Sequence, residues 1–379
     1  CPIQMEATMK VLNYNTILMC LCVCLTACSE GMDTSSGDKQ PPHFEWDPGS
    51  ATVILKDMIQ YGENNIAILS LHYDTNRYGL TGFTPNGIQK FQKFLPATHY
   101  IESSYFERNL SYSNGIFTLV INPKDTGQNS LFIQLDTNGN ITNQKELVQI
   151  KYASIFPMNN GEYLVRSSIF DSLQFKTKLS KIDNDGELKW EKVMPVSFEY
   201  LHVANNRIYG KWNNDSIVSI DANGDVLWKQ SLMLPKGFLL CRVSSSDYRI
   251  ARILYNPYNY IPDRLAIDAM DIDGAITPLD TIPLNWSTDF TDFESLGANE
   301  LVLLGRWGGS NKILLMRLQS DGSWVESHLA PDENNFSLVS FHANGDGTYL
   351  IMGAMYINSS YYSKTLIYKI DANGNYLPF

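Results

Sequence analysis

Short runs in which apolar and polar residues alternate recur along the chain from about residue 51 to its end. Residues 131–136 (LFIQLD) and 217–221 (IVSID) show this alternation, which is typical of a β-strand with one buried face. Each run leads into a short turn that ends in Gly, mostly with Asn or Asp, and then into a second strand. No helical period of useful length interrupts the pattern, which therefore predicts an all-β fold built from hairpins.

The turn signature occurs seven times, each time with Gly at its fourth position. The copies are residues 84–87, 136–139, 183–186, 221–224, 271–274, 319–322 and 371–374, and their glycines are 52, 47, 38, 50, 48 and 52 residues apart. Such a period accommodates four short strands and their turns, which is the content of one propeller blade. The sequence therefore predicts a seven-bladed β-propeller of four-stranded antiparallel blades, with residues 51–59 and 375–379 near its seam.

The repeat and the composition of the N-terminal region together predict the domain organisation. We assign residues 1–27 to a signal peptide with an upstream extension at 1–8, residues 28–50 to a flexible tether, and residues 51–379 to the propeller. The predicted blades span residues 51–96, 97–150, 151–195, 196–235, 236–283, 284–330 and 331–379.

The signal peptide is predicted from the apolar run at residues 17–27, which ends at Cys28. This run is shorter than the roughly 20 residues needed to cross a bilayer, which favours a cleaved leader over a membrane anchor. Residues 25–28 (LTAC) resemble the lipobox of bacterial lipoproteins. The resemblance implies that Cys28 is lipidated and that the protein is an outer-membrane lipoprotein of the cell envelope. An ordinary secretory leader with a chance Cys is the alternative.

The net charge argues against one class of partner, and the cysteine content argues against a catalytic thiol. The net charge is -11 and no cluster of Lys or Arg stands out, so nucleic acid is not an expected partner. Cys241 is the only cysteine after Cys28. It lies in the apolar run 237–241, which predicts a small buried hydrophobic residue and not a nucleophile.

Two copies of the repeat point to a known class of propeller. Residues 181–190 (KIDNDGELKW) and 219–228 (SIDANGDVLW) resemble the tryptophan-docking repeat of quinoprotein-like propellers. The resemblance implies that Trp190 and Trp228 dock between blades, with Phe91 in the same place in another copy. Quinoprotein dehydrogenases have eight blades and often a vicinal disulfide, so their redox cofactor is not carried over and no cofactor is predicted. The chain also resembles uncharacterised propeller lipoproteins common in Bacteroidetes.

Metal and catalytic motifs give little support to an enzyme. Residues 183–187 and 221–225 alternate oxygen-bearing side chains like the start of an EF-hand, but Gly is fourth and no Glu stands twelfth. Hairpin turns explain them better. No His lies within four residues of another His or a Cys, which disfavours zinc. Serine-hydrolase, P-loop and dinucleotide fingerprints are absent from the sequence, so no metal or catalytic residue is assigned.

The loops between the second and third strands of the predicted blades carry the most suggestive chemistry. They place Tyr and Trp beside Asn, Asp and Arg, a combination that stacks on an apolar ring face and hydrogen-bonds its edges. The candidate ligand-binding residues are Tyr73, Tyr78, Trp212, Tyr255, Tyr258, Tyr260, Arg306, Trp307, Tyr361 and Tyr362. Alternatively, many of these aromatic side chains fold inward and fill gaps between blades.

The sequence thus favours a non-catalytic binding module for a glycan, a peptide or an envelope protein. Two alternatives remain open. A glycoside hydrolase or lyase would place acids at the central channel, and a scaffold for envelope assembly would present an apolar edge on the rim of the blades.

Overall fold

The structure is a computed structural model of the chain. It describes residues 43–46, 53–72, 74–101, 110–125, 127–158, 161–171, 174–194, 198–204, 206–212, 216–232, 238–244, 246–255, 262–284, 288–297, 300–307, 313–318, 323–329, 336–344, 347–356 and 363–378. Cys28 and the predicted signal peptide at residues 1–27 lie outside this set.

The described residues form thirty strands in seven antiparallel sheets. The first strand, β1 (His43–Trp46), belongs to the last sheet. Blade 1 has β2 (Val53–Tyr61), β3 (Asn65–His72), β4 (Arg77–Phe83) and β5 (Gln89–Phe94). Blade 2 has β6 (His99–Tyr100), β7 (Leu110–Ser113), β8 (Ile116–Pro123), β9 (Ser130–Asp136) and β10 (Ile141–Leu147). Blade 3 has β11 (Ala153–Pro157), β12 (Tyr163–Asp171), β13 (Gln174–Ile182) and β14 (Leu188–Met194).

The remaining blades follow the same order. Blade 4 has β15 (Phe198–Ala204), β16 (Arg207–Trp212), β17 (Ser216–Ile220) and β18 (Val226–Ser231). Blade 5 has β19 (Phe238–Arg242), β20 (Asp247–Tyr255), β21 (Pro262–Asp271) and β22 (Ile276–Pro283). Blade 6 has β23 (Thr288–Gly297), β24 (Glu300–Trp307), β25 (Ile313–Leu318) and β26 (Trp324–Leu329). Blade 7 has β27 (Phe336–Ala343), β28 (Thr348–Tyr356), β29 (Ser363–Asp371) and β30 (Tyr376–Leu377).

Within each blade the strands are hydrogen-bonded in chain order, and we name the four positions A to D from the centre outward. A strands of neighbouring blades contact each other, as β2 contacts both β7 and β27. In blade 2 the A position is shared by β6 and β7, which both pair with β8. These features confirm the predicted seven-bladed β-propeller of four-stranded antiparallel blades.

The core of the described chain lies between the blades and consists of seven hydrophobic clusters. Each cluster takes side chains from two neighbouring blades. The cluster between blades 5 and 6, for example, contains Cys241, which is buried as the sequence predicted. Because a single sheet cannot cover its own apolar faces, each blade depends on both neighbours for burial.

Six of the seven predicted turns lie in the described part, and all six close C–D hairpins in the same way. In each, the Gly N–H donates to the carbonyl of the first turn residue at 3.0–3.1 Å, and the Gly has φ between 78° and 85°. In five of them the first residue is Asp, and its Oδ1 accepts two backbone N–H groups of the turn at 2.8–3.0 Å. The turn alone therefore accounts for the Asp.

Aromatic rings of the D strands pack onto the turns of the next blade. Trp190 donates from Nε1 to the carbonyl of Ala222 at 2.8 Å, and Trp228 donates to that of Ile272 at 3.0 Å. Each indole occupies the space that a Cβ on the turn glycine, Gly224 or Gly274, would need. The two tryptophans thus dock between blades as the repeat implied, and Phe91 covers Gly139 in the same manner.

The last blade is completed by a strand that the sequence did not predict. Residues 43–46 fall within the expected tether, but they form β1 and pair with β29 of blade 7. The sequence placed residues 51–59 and 375–379 near the seam, and β2 and β30 do lie in blades 1 and 7. The turn at 319–322 lies outside the described residues.

Candidate functional site

The B–C loops and the D–A connections emerge on one face of the ring, because the direction of the chain reverses at every strand. In blade 2 the two are directly linked, since the Asn129 side chain in the B–C loop accepts the N–H of Gln149 in the D–A connection at 3.0 Å. We call this surface the B–C face. The turns that end in Gly lie on the opposite face.

The structure places the predicted site residues unevenly. Tyr73, Tyr258, Tyr260, Tyr361 and Tyr362 lie outside the described residues. Tyr255, Arg306 and Trp307 end or nearly end the B strands of blades 5 and 6, and Trp212 ends the B strand of blade 4. These four backbone positions are therefore at the B–C face, as the repeat predicted.

Tyr78 is different, because its side chain is in the core. It is 6% exposed, belongs to the cluster between blades 1 and 2, and donates its hydroxyl to the carbonyl of Ile101 at 3.3 Å. A ligand at the surface cannot reach this ring. Tyr78 is therefore a packing residue. This agrees with the alternative interpretation that some of the candidate aromatic side chains fold inward.

Trp212 is half-buried and combines packing with a polar neighbour. Its ring packs against the cluster between blades 3 and 4, and the Lys229 ammonium lies 5.4 Å from the ring centroid. A cation at this distance is attracted to the indole face. The indole thus packs against the core on one side and lies beside a cation at the B–C face.

A second part of the B–C face was not anticipated from the sequence. In the D–A connection between blades 2 and 3, Gln149 and Tyr152 have φ of 62° and 52°, whereas every other described non-glycine residue with positive φ is Asn. Side chains with a Cβ pay about 1–3 kcal/mol for such a conformation, and it persists where the surroundings impose it, often at functional sites. The same connection exposes Val148 and Tyr152, at 69% and 43%. We call residues 147–152 the strained connection.

Polar contacts from both neighbouring blades hold the strained connection. From blade 2, Asn129 binds the Gln149 N–H and also donates to Glu146 at 2.7 Å. From blade 3, Lys178 donates from Nζ to the Gln149 carbonyl at 3.0 Å, and it pairs with Glu191 at 3.2 Å. The Lys178 side chain is only 8% exposed. The exposed Val148 and Tyr152 are therefore presented from a fixed backbone.

A second set of contacts ties the loops of blades 1 and 2 together. Lys124 of the blade 2 loop donates from Nζ to the carbonyl of Asn76 in the blade 1 loop at 2.8 Å. Within blade 1, Arg77 donates twice to the carbonyl of Leu95, which follows β5, at 3.0 and 3.1 Å. Contacts that hold loops in place before binding lower the ordering cost when a ligand binds. The described B–C face of blades 1 to 3 is thus pre-organised.

One Ser–His pair near this face has the residue types of a hydrolase site, but it is buried and closed to a substrate. Ser70 Oγ lies 3.2 Å from His72 Nε2, and the two residues are 0% and 5% exposed. Burial of His72 lowers the pKa of its imidazole, and the Asp74 carboxylate opposes that effect. Because no substrate reaches the pair, it serves the packing of blade 1.

Metal and membrane features were also sought among the described residues. No group of three or more His, Cys, Asp and Glu side chains is arranged there to hold a metal ion. None of the described residues forms a helix long and apolar enough to cross a membrane.

Comparison with known proteins identifies the fold but no family. No family model matches the chain, and no curated protein matches its sequence significantly. Among solved structures, the chain is similar to a catalytically inactive virginiamycin B lyase from Staphylococcus aureus with quinupristin, at a TM-score of 0.54 and 14% identity over 86% of this chain and 98% of that one.

Two further structures are comparably similar. YCF48 bound to D1 peptide gives a TM-score of 0.54 and 10% identity over 86% of this chain and 96% of that one. The polysaccharide lyase Uly1 gives 0.55 and 9% identity over 88% and 98%. At these identities the likeness shows the propeller fold alone. The fold is therefore one that both binding and catalytic proteins use.

Proposed function

We propose that this protein is a non-catalytic binding module that recognises a glycan, a peptide or an envelope protein through the B–C face. The observation that carries the proposal is the strained connection. It exposes Val148 and Tyr152 from a backbone that Asn129 and Lys178 fix from two blades. An exposed aromatic side chain on a rigid loop supplies contact area at low entropic cost.

The half-buried Trp212 supports the same proposal, because its indole lies at the same face beside the Lys229 ammonium. Aromatic side chains flanked by polar groups suit the flat apolar faces of sugar rings and peptide side chains. The backbone positions of Tyr255, Arg306 and Trp307 extend this surface over blades 5 and 6. YCF48, a protein of the same fold, is bound to a peptide.

We further propose that the propeller is held at the outer membrane through lipidation of Cys28. The lipobox-like residues 25–28 support this assignment. Residues 29–42 separate Cys28 from β1 in the sequence.

A role as an assembly scaffold is a second candidate function, because the rim of the ring carries exposed apolar side chains. They lie on the D strands of four successive blades and are 42–52% exposed: Leu188, Val193, Val226, Leu227, Leu279 and Val325. A protein that packs on the rim would cover these side chains, as at other exposed apolar contact sites.

The first test is a screen of residues 40–379 against glycan and peptide arrays. The proposal predicts saturable binding that Tyr152→Ala reduces at least about tenfold, as expected for an aromatic anchor. Ile88→Ala is the matched control, because Ile88 is an exposed apolar residue at the opposite face. Equal loss in both variants would place the binding surface elsewhere. Turnover of a bound glycan would instead favour a lyase or hydrolase.

A further inference from the structure

The D position of blade 7 is filled by two separate segments, β30 and β1. Tyr376 and Leu377 of β30 pair with Ile370 and Lys369. The next residue of β29, Tyr368, pairs with His43, the first residue of β1. Successive residues of β29 therefore pair first with β30 and then with β1, although no peptide bond joins Leu377 to His43. β1 is joined to the propeller only at its other end, through residues 47–52.

Two aromatic side chains anchor β1 in the seam between blades 7 and 1. Phe44 and Trp46 are each 8% exposed. The Phe44 ring lies 5.1 Å from that of Phe83 and covers Gly87, where a Cβ would stand 2.6 Å from the ring. Trp46 lies 5.5 Å from Phe83 and meets the edge of His72 at 6.3 Å. The seam thus forms two adjacent aromatic subsites.

The residue between the anchors supplies a polar contact on the other side of the strand. Glu45 Oε1 lies 2.6 Å from Lys364 Nζ, and both side chains are more than a quarter exposed. An exposed pair of this kind adds little affinity but favours one register. Backbone pairing combined with pockets for alternate side chains is how sheet edges recognise extended peptides.

We propose that this edge of blade 7 is a binding groove for an extended peptide with two aromatic residues flanking an acidic one, and that β1 is its built-in occupant. β1 leaves and re-enters the groove while the rest of the ring stays folded. A separate peptide of the same pattern binds there whenever β1 is out. The groove is distinct from the B–C face, and its test is independent of any ligand found for that face.

The test uses the full chain carrying Phe44→Ala and Trp46→Ala, which empties both subsites without removing the strand. A fluorescent peptide of residues 40–50 is titrated against it and followed by anisotropy. We expect saturable binding to this variant and at least tenfold weaker binding to the unsubstituted chain, where tethering gives β1 an effective concentration in the millimolar range. A peptide carrying the same two alanines should bind at least tenfold more weakly than the natural one.

Equal binding to both chains, or equal binding of both peptides, would place the peptide outside the groove and overturn the proposal. Hydrogen exchange of the unsubstituted chain gives an answer even where the variant fails to fold. Amides of β1 should exchange at least tenfold faster than those of β28 in the same blade, because β1 opens locally. Exchange of β1 as slow as that of β28 would show that β1 leaves only on global unfolding, which contradicts the proposal.

Discussion

Replacement of Gly274 by Ala tests whether docking of the D-strand tryptophans holds neighbouring blades together. Gly274 has φ of 85°, and a Cβ there would stand 2.8 Å from the Trp228 ring. The left-handed backbone costs an alanine about 1–2 kcal/mol. Displacement of the indole adds about 1–3 kcal/mol for overpacking. Loss of the Trp228 hydrogen bond to Ile272, at 3.0 Å, adds about 1 kcal/mol.

The expected loss in the free energy of unfolding is therefore about 3–6 kcal/mol. Gly115→Ala is the matched control, since Gly115 has φ of 81° and no atom within 4 Å of the Cβ position. The control should lose only the backbone cost of about 1–2 kcal/mol. Urea denaturation followed by fluorescence measures both variants. Equal destabilisation of the two would show that the indole yields freely and would refute the reasoning.

Three further perturbations follow from named contacts. Burial lowers the pKa of His72 and so favours the neutral imidazole in the fold. The stability that neutral His72 contributes is complete above about pH 6.5 and is lost as the pH falls below that value. His72→Gln should flatten this part of a curve of melting temperature against pH. Tyr78→Phe should cost about 1 kcal/mol in denaturation and leave ligand affinity unchanged; weakened binding would return Tyr78 to the surface set. Lys178→Met should speed amide exchange in residues 147–152, and unchanged exchange would show that Lys178 does not hold the connection.

The propeller could be predicted from the sequence because its repeating signal is local. The hairpin turns require Gly at a left-handed position, and Asp at the first position binds the turn backbone. These requirements are written into four consecutive residues, so seven copies could be counted without knowledge of tertiary contacts. The resemblance of the same repeat to the tryptophan-docking repeat implied the docking of Trp190 and Trp228, which both stand four residues after the Gly.

Strand β1 could not be predicted in this way. Residues 43–46 have no turn signature before them, and their partner in β29 lies more than 300 residues away in the chain. Only closure of the ring makes Phe44 and Trp46 core residues. Such long-range pairing leaves no local mark in the sequence.

The candidate site was predictable only in outline. The repeat placed Trp212 at the B–C face, but whether a ring near a strand end points outward depends on the neighbouring blade, as Tyr78 shows. The left-handed backbone at Gln149 and Tyr152 has no sequence signal, because neither residue type favours it. At Gln149 it is accompanied by contacts of Asn129 and Lys178, which come from two different blades.

The central claim, that the B–C face binds the ligand, is tested most directly by calorimetric titration with the ligand class found on the arrays. The protein is compared with Tyr152→Ala, Trp212→Ala and the opposite-face control Ile88→Ala, after each variant is shown to retain its fold. We predict that the first two variants each raise Kd at least about tenfold and that the control leaves it unchanged. An unchanged Kd in both B–C face variants, or a raised Kd in the Ile88→Ala control, would contradict the account.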